Sequence, residues 1–351
     1  MQDGLYSAAA DATDELLRDV YRLDVAKALD PLDARDFLVI VERLARSLTG
    51  VSRDAEAAAL RKALATLDVD WPSLSPAARD RVVRAAREAI GGVAAQVLPR
   101  VDQVFEVEAK NVVARARATT VRRFGLHIGA STTQTDERIA TFVRKSEANF
   151  VRDQYGRRQD ELGQRAREIV AAGLEQGLGR DDIAADLAEQ LAPVVSRGKP
   201  YWETVAMSFA NRGRTYTQLA AFDEADIERF RFDAVLDQVT SQACRFMHGR
   251  EFSVKRARQR FDEVEQAPDP ETITELQPWM QLGSDSDGNQ VLFYKRGGRR
   301  RFVARVEESA AGRADQVGRY SRALSNEELE AAGVTVPPLH GRCRSTIVVE
   351  G

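Results

Sequence analysis

Two short segments near the C-terminus hold nearly all of the soft-ligand chemistry in this chain. The first is Asp237-Gln-Val-Thr240-Ser241-Gln-Ala-Cys244-Arg-Phe-Met-His248-Gly249; the second is Pro337-Pro338-Leu-His340-Gly-Arg-Cys343-Arg344. Together they contain both cysteines and two of the three histidines. Such residues gather where a fold brings them together at a metal, a disulfide or a nucleophile. Cys244 and His248 are four apart and would share one helix face; His340 and Cys343 are three apart and could share a turn. Two thiolates and two imidazoles satisfy tetrahedral zinc. Cys244, His248, His340 and Cys343 are therefore a candidate structural zinc site, one that would tie the ends of a roughly ninety-residue excursion.

The same residues allow other readings. The cysteines can be small buried hydrophobes beside hydrogen-bonded histidines, or they can pair as a disulfide, which a reducing cytoplasm disfavours. A Cys343 nucleophile with His340 as base needs hydrogen-bond reach and a third, orienting group, and the sequence displays neither. Asp237 is the nearest carboxylate for a metal-dependent nuclease, but it reads better as a cap or turn residue. The expectation is a protein that is not an enzyme, with metal-dependent nuclease activity as the residual catalytic alternative.

Composition sets the outer bounds. A chain of 351 residues predicts about two domains. Its hydrophobic share of 43% and charged share of 30% are those of a soluble globular protein. A formal net charge of -3 supplies no global field for nucleic acid. No apolar run approaches the roughly twenty residues that span a bilayer, so no membrane partner is expected. The first residues lack the basic and apolar regions of a signal peptide, which points to synthesis in the cytoplasm.

The elements that would position the two segments are mostly helical up to about residue 225. Leu16, Leu17, Val20, Leu23 and Ala26 fall at helical spacings, and Asp30-Pro31 interrupts the run. Phe37, Leu38, Val41, Leu44, Ala45 and Leu48 form the next stripe, with Gly50 placed to end it and Ser52 to cap a third helix reaching Leu67. Pro76 suits the first position of a long helix whose Gly91-Gly92 and Pro99 are expected bends. Residues 124–133 read as a linker, and His127 within it as a solvated loop residue. Helices are then expected over 136–176, over 181–191 with Pro193 closing it, and over 201–225.

Past residue 225 the period changes. Phe230, Phe232 and Ala234 alternate with charged residues, as in a strand. Residues 291–304 read as a hairpin turning at Gly297-Gly298, because a Gly-Gly pair supplies the positive φ of a tight turn. Ser325 and Glu328 have capping-box spacing, Gly333 would end that helix, and 346–349 could form a last strand. The fold class is thus α+β: a long, mostly α-helical N-terminal region followed by a small α+β module with a β-hairpin. Its divisions are a helical domain over 1–125, a helical connecting region over 126–228 and the α+β module over 229–351.

Two basic runs accompany the segments. One comprises Lys255, Arg256, Arg258 and Arg260; the other, Lys295, Arg296, Arg299, Arg300 and Arg301, surrounds the hairpin turn. A cationic hairpin tip could touch phosphates without base selectivity, and so contact DNA non-specifically. The plainer alternative pairs these arginines with acids such as Glu307 and Glu308.

From about Gly179 to Val349 the chain resembles the Mu F-like phage head morphogenesis, or minor capsid, family. That family's pattern opens with an Arg-Thr-Glu element on a helix. It continues with Asp-x-x-Thr-Cys-x-x-Cys-x-x-x-x-Gly and closes with Pro-Pro-x-His-x-x-Cys-Arg-Cys. Arg214-Thr215 stands at the first element, with Tyr216 in place of the glutamate. Asp237, Thr240, Cys244 and Gly249 match the second, and Pro337, Pro338, His340, Cys343 and Arg344 the third. Ser241 and Ser345 stand where the family has its other two cysteines, one in each half, so a four-thiolate metal site is put in doubt. The resemblance implies a minor head protein of a tailed phage or prophage, with the portal protein and other capsid proteins as partners. It would assemble in the host cytoplasm and then reside in the virion, inside the capsid near the portal. Two alternatives are a zinc-stabilised nucleic-acid-binding module and a delivery module of a phage-derived toxin system.

Overall fold

Helix termini in this chain are written by their caps. A computed structural model describes residues 29–195, 198–267 and 269–349. The expected stripe from Leu16 to Ala26 lies outside the described residues. Helix α1 (Ala34–Leu67) starts where the Asp33 carboxylate accepts from the Arg35 and Asp36 amides. Ser75 caps α2 (Pro76–Arg123), with Pro76 at the first turn, and Thr133 and Asp136 cap α3 (Gln134–Glu175) reciprocally. Helices α4 (Arg180–Val195) and α5 (Lys199–Glu224) complete the helical region.

Two boundaries differ from expectation. α1 runs unbroken through Gly50, and Ser52 donates to the Thr49 carbonyl instead of capping a new helix. A helical glycine costs only about 1 kcal/mol, and the buried stripe Leu44, Leu48, Ser52, Glu56, Ala59, Ala63 continues past it. Pro193 lies within the last turn of α4 rather than beyond it.

Buried ion pairs stitch these helices together. Glu56 of α1 accepts from Arg158 (3.1 Å) and Tyr155 (2.6 Å) of α3. Glu147 of α3 accepts from Arg212 (2.9 Å) and Ser208 (3.0 Å) of α5. Arg117 of α2 donates to the Gly129 carbonyl of the linker and to Glu224 at the end of α5. α5 is the axis of the fold, since every residue from 205 to 222 is buried.

Two antiparallel sheets follow, giving an α+β protein with helices first and a mixed module after them. Strand β1 (Arg229–Asp233), helix α6 (Gln242–Met247), strand β2 (Glu251–Ser253) and helices α7 (Val254–Glu265) and α8 (Pro270–Leu276) come in succession. Strands β3 (Met280–Ser284), β4 (Gln290–Arg296), β5 (Arg299–Glu308) and β6 (Arg319–Ser321) form a four-stranded meander. Helix α9 (Asn326–Ala332) has the Ser325–Glu328 capping box, and Gly333 ends it in left-handed geometry. Strand β7 (Thr346–Val348) returns to the first sheet, whose order is β2-β1-β7. One contiguous core of buried side chains reaches from Phe37 on α1 to Ile347 on β7. Among the described residues, no helix is long and apolar enough to cross a membrane.

Candidate metal centre

The three-stranded sheet explains why the two distant segments meet. β1 leads directly into the first segment and β7 follows the second, and they pair antiparallel with Phe232 opposite Ile347. Each segment therefore leaves the sheet at the same end.

In the first segment, Asp237 and Thr240 close a turn through Asp237 N–H to Thr240 Oγ1 (2.9 Å) and Thr240 N–H to Asp237 O (3.2 Å). Ser241 then caps α6, accepting from the Cys244 amide at 3.2 Å. The helix lasts six residues. Gly249 follows at φ 79, a conformation that side-chain-bearing residues rarely adopt, and its N–H returns to Phe232 O at 2.9 Å. In the second segment Pro337 and Pro338 are buried with a cis bond between them, and Cys343 N–H closes a turn onto His340 O at 3.2 Å.

These turns bring Cys244, His340 and Cys343 into one cluster, with ligand atoms all within 4.8 Å of one another. Cys244 Sγ lies 3.6 Å from Cys343 Sγ and 3.2 Å from His340 Nε2. Both sulfurs are buried and the imidazole is half-buried. Neighbouring ligand atoms on a tetrahedral ion with metal–sulfur bonds of about 2.3 Å sit about 3.5–3.8 Å apart. The cluster therefore needs little rearrangement to hold a metal ion. The contact with Cys343, and burial, push the Cys244 thiol up. Burial opposes ionisation of Cys343 as well, but the Cys244 thiol, the His340 ring and nearby backbone N–H groups bring its pKa well below the usual thiol range. The pair thus favours a single shared thiolate, hydrogen-bonded between the two sulfurs.

His248 is not part of this cluster, contrary to the four-ligand expectation. A shared face requires α6 to continue, but the helix ends at Met247 and the His248 backbone turns to ψ 130. Its Nδ1 instead accepts from Ala234 N–H at 3.1 Å and lies 3.7 Å from an Asp233 carboxylate oxygen. A polar group beside the cluster is Ser241, whose Oγ is 2.9 Å from His340 Nε2. The Ser241 and Ser345 hydroxyls both lie close enough to the Cys244 sulfur to favour its ionised form. Positions 241, 244, 343 and 345 therefore surround one point.

The remaining segment residues build the frame. Arg344 donates two hydrogen bonds to Asp237, at 2.7 and 2.6 Å, joining the segments across the cluster. Those bonds, aided by Thr240 and the Val239 amide against partial burial, bring the Asp237 carboxyl down to about 2. Its folded pKa is below the ordinary value of 3.8, so the pair contributes stability above about pH 4 and loses it as pH falls towards 2. Asp237 is partly exposed, so after solvent screening the contribution is about 1 kcal/mol. Denaturant midpoints recorded from about pH 5 to about pH 2.5 should drop more steeply in the wild type than in Asp237→Asn. Parallel curves would show that the pair contributes nothing.

The helix over 201–225 and its Arg214-Thr215 element were expected from the sequence, but not that this helix holds the second segment in place. Asn211 of α5 donates to the carbonyls of Cys343 (2.6 Å) and Ser345 (3.3 Å). Arg214 donates to Ser345 O (2.6 Å), Arg344 O (3.2 Å) and Pro31 O (2.9 Å), and Gln218 donates to Ile347 O (2.8 Å). Thr215 donates to Asn211 Oδ1 at 3.0 Å and so orients that amide. The signal was legible: Asn211, Arg214, Thr215 and Gln218 recur at three- and four-residue spacing, a polar stripe on a helix that also carries Val205, Phe209, Leu219 and Phe222. Tyr216, at the departure from the family pattern, packs against Phe142 and Phe261 and donates to Gln277. Arg245, also missed, is fully buried and donates to the carbonyls of Thr240, Asp237, Arg313 and Gln316.

The basic residues lie elsewhere. Arg256, Arg258 and Arg260 project from α7 and pair with Glu330, with Asp223 and Asp262, and with Glu263. Lys295, Arg296, Arg299, Arg300 and Arg301 occupy the tip of the β4–β5 hairpin. His127 is exposed in the linker. Comparison with protein-family models, with curated proteins and with solved structures returned no match to this chain.

Proposed function

We propose that the chain is a minor head protein of a tailed phage or prophage, acting in head morphogenesis through contact with the portal vertex. The observation that carries the reading is the convergence of all three resemblance elements. Arg214-Thr215, residues 237–249 and residues 337–344 are separated by up to 130 positions in their direct contacts, yet they surround one buried cluster. Scattered matches in a chain of another kind would have no reason to meet. In this reading the cluster is a structural clasp. Cys244, His340 and Cys343 bind zinc, with the Ser241 oxygen or a water completing the tetrahedron, since structural zinc takes thiolate and imidazole ligands in this geometry. The metal supplies cross-linking and no catalysis. The portal partner, the other capsid proteins and the capsid-interior location come from the resemblance.

The test is co-expression of the full chain with the portal protein encoded in the same genome. A complex that survives affinity purification and size exclusion is expected. Separate elution of the two proteins at micromolar concentration would sink the reading.

A further inference from the structure

Beyond Tyr294 the β4–β5 hairpin outruns its neighbours. β3 pairs with β4 only as far as Met280 opposite Tyr294, and β6 pairs with β5 only from Arg305 outward. Residues 295–301 therefore continue as a two-stranded ribbon with no third strand beside it, closed by Gly297 and Gly298 at φ 57 and 70. Lys295 stands opposite Arg300, and Arg296 opposite Arg299. Like charges directly across a strand pair are destabilising, so folding alone gives no reason for this arrangement.

One of the five cations has hydrogen-bond partners, and a second, Arg300, lies over a ring. Arg296 lies over the Tyr294 ring and donates to Glu275 O (3.2 Å) and Ala332 O (2.8 Å), while the Glu275 carboxylate accepts from Gly297 N–H. These bonds anchor the ribbon to α8 and α9. Lys295, Arg299, Arg300 and Arg301 are exposed and, among the described residues, carry no ion pair and no side-chain hydrogen bond. The acids expected to neutralise them are committed elsewhere. Glu307 pairs with Arg305 and accepts from Ser321, and Glu308 pairs with Arg313 and Arg319. The contrast with α7, whose arginines are all paired, marks the hairpin as the unneutralised site.

We infer that this ribbon contacts the phosphate backbone of double-stranded DNA without reading sequence. Strand alternation puts Lys295 and Arg300 on one face and Arg299 and Arg301 on the other. Two strands about 4.8 Å apart fit a major groove about 12 Å wide, where cations on both faces meet phosphates on both walls. A single-strand site would need a row of open rings for stacking. Here Phe293 and Tyr294 are buried, Arg300 lies over Phe293 at 4.5 Å, and only Phe302 of the ribbon's rings is open. The inference uses the hairpin alone and does not rest on the head-protein reading.

The test is fluorescence anisotropy of the full chain with a short labelled duplex of random sequence, titrated at several salt concentrations. Four phosphate contacts predict a slope of log affinity on log salt of about -3.6, a loss of about a hundredfold between about 50 and about 200 mM salt. The double variant Arg299→Gln, Arg301→Gln should reduce the slope by about 2, and removal of all four charges should abolish binding. Thermal midpoints of both variants should equal or exceed the wild type, because like-charge repulsion is relieved. Absent or salt-insensitive duplex binding would overturn the inference, as would affinity unchanged in well-folded variants. Tighter binding to single strands than to duplex, or to an acidic protein with no duplex binding, would equally overturn it.

Discussion

Arg214→Ala should lower the stability of this protein by about 3–5 kcal/mol, the range for leaving buried polar partners unpaired. The Arg214 guanidinium is fully buried over the Phe37 ring, at 3.8 Å, and donates to carbonyls of Pro31, Arg344 and Ser345. Burial depresses its pKa only to about 10, so it remains a cation at neutral pH. Among the described residues no carboxylate forms an ion pair with it; Cys343 and Asp30 favour the charge from a distance, and three backbone carbonyls and an aromatic face hold it directly. Truncation removes those donors and opens a cavity between α5 and the segment before α1, and both losses act in the same direction. Arg214→Lys should recover only part of the loss, because an ammonium cannot hold divergent carbonyls in the fixed fork of a guanidinium. Denaturant unfolding of the two variants checks this. A change within about 0.5 kcal/mol for Arg214→Ala, the range of ordinary surface substitutions, would show that the contacts do not matter.

Protein purified without a histidine tag and without chelators should contain one equivalent of zinc. Removing the metal should cost about 2.7 kcal/mol at a free zinc concentration one hundred times the dissociation constant. Cys343→Ala should abolish stoichiometric zinc, since it removes one of the two thiolates in a three-residue cluster. His248→Ala should leave it intact, because that ring bonds Ala234 outside the cluster. Ser241→Cys should tighten binding by adding a thiolate beside His340 Nε2. Cobalt-substituted protein offers an independent readout through its sulfur-to-metal charge-transfer absorption, which should fall in Cys343→Ala and rise in Ser241→Cys. Substoichiometric zinc in the wild type under these conditions would leave packing alone to close the clasp.

The fold class and most helix limits were legible because local chemistry decides them. Ser75-Pro76, the Ser325–Glu328 box and Gly297-Gly298 each impose one backbone geometry that tertiary structure then keeps. Gly50 misled because a helix with a buried stripe on both sides tolerates a glycine that an isolated helix would not. Strands β3 and β6 were unreadable: one meets its partner across a turn of small polar residues, and the other has three residues. In the candidate site, residue types were legible but angles were not. Cys244 and His340 come together through a sheet pairing between residues more than one hundred positions apart, Phe232 and Ile347. His248 was lost to a glycine one residue later, whose positive φ directs the chain back to β1.

The polar stripe of α5 also sets an order of events during synthesis. Asn211, Arg214 and Gln218 are translated more than one hundred residues before the carbonyls of 343–347 that occupy them. Until that last stretch leaves the ribosome, α5 must either keep one side wet or remain undocked. Contacts of such sequence separation form late and leave intermediates exposed. The helical half, although made first, therefore cannot close its own interior. Its completion waits on the final strand, so a nascent chain stalled before residue 343 should be a target for chaperones and proteases.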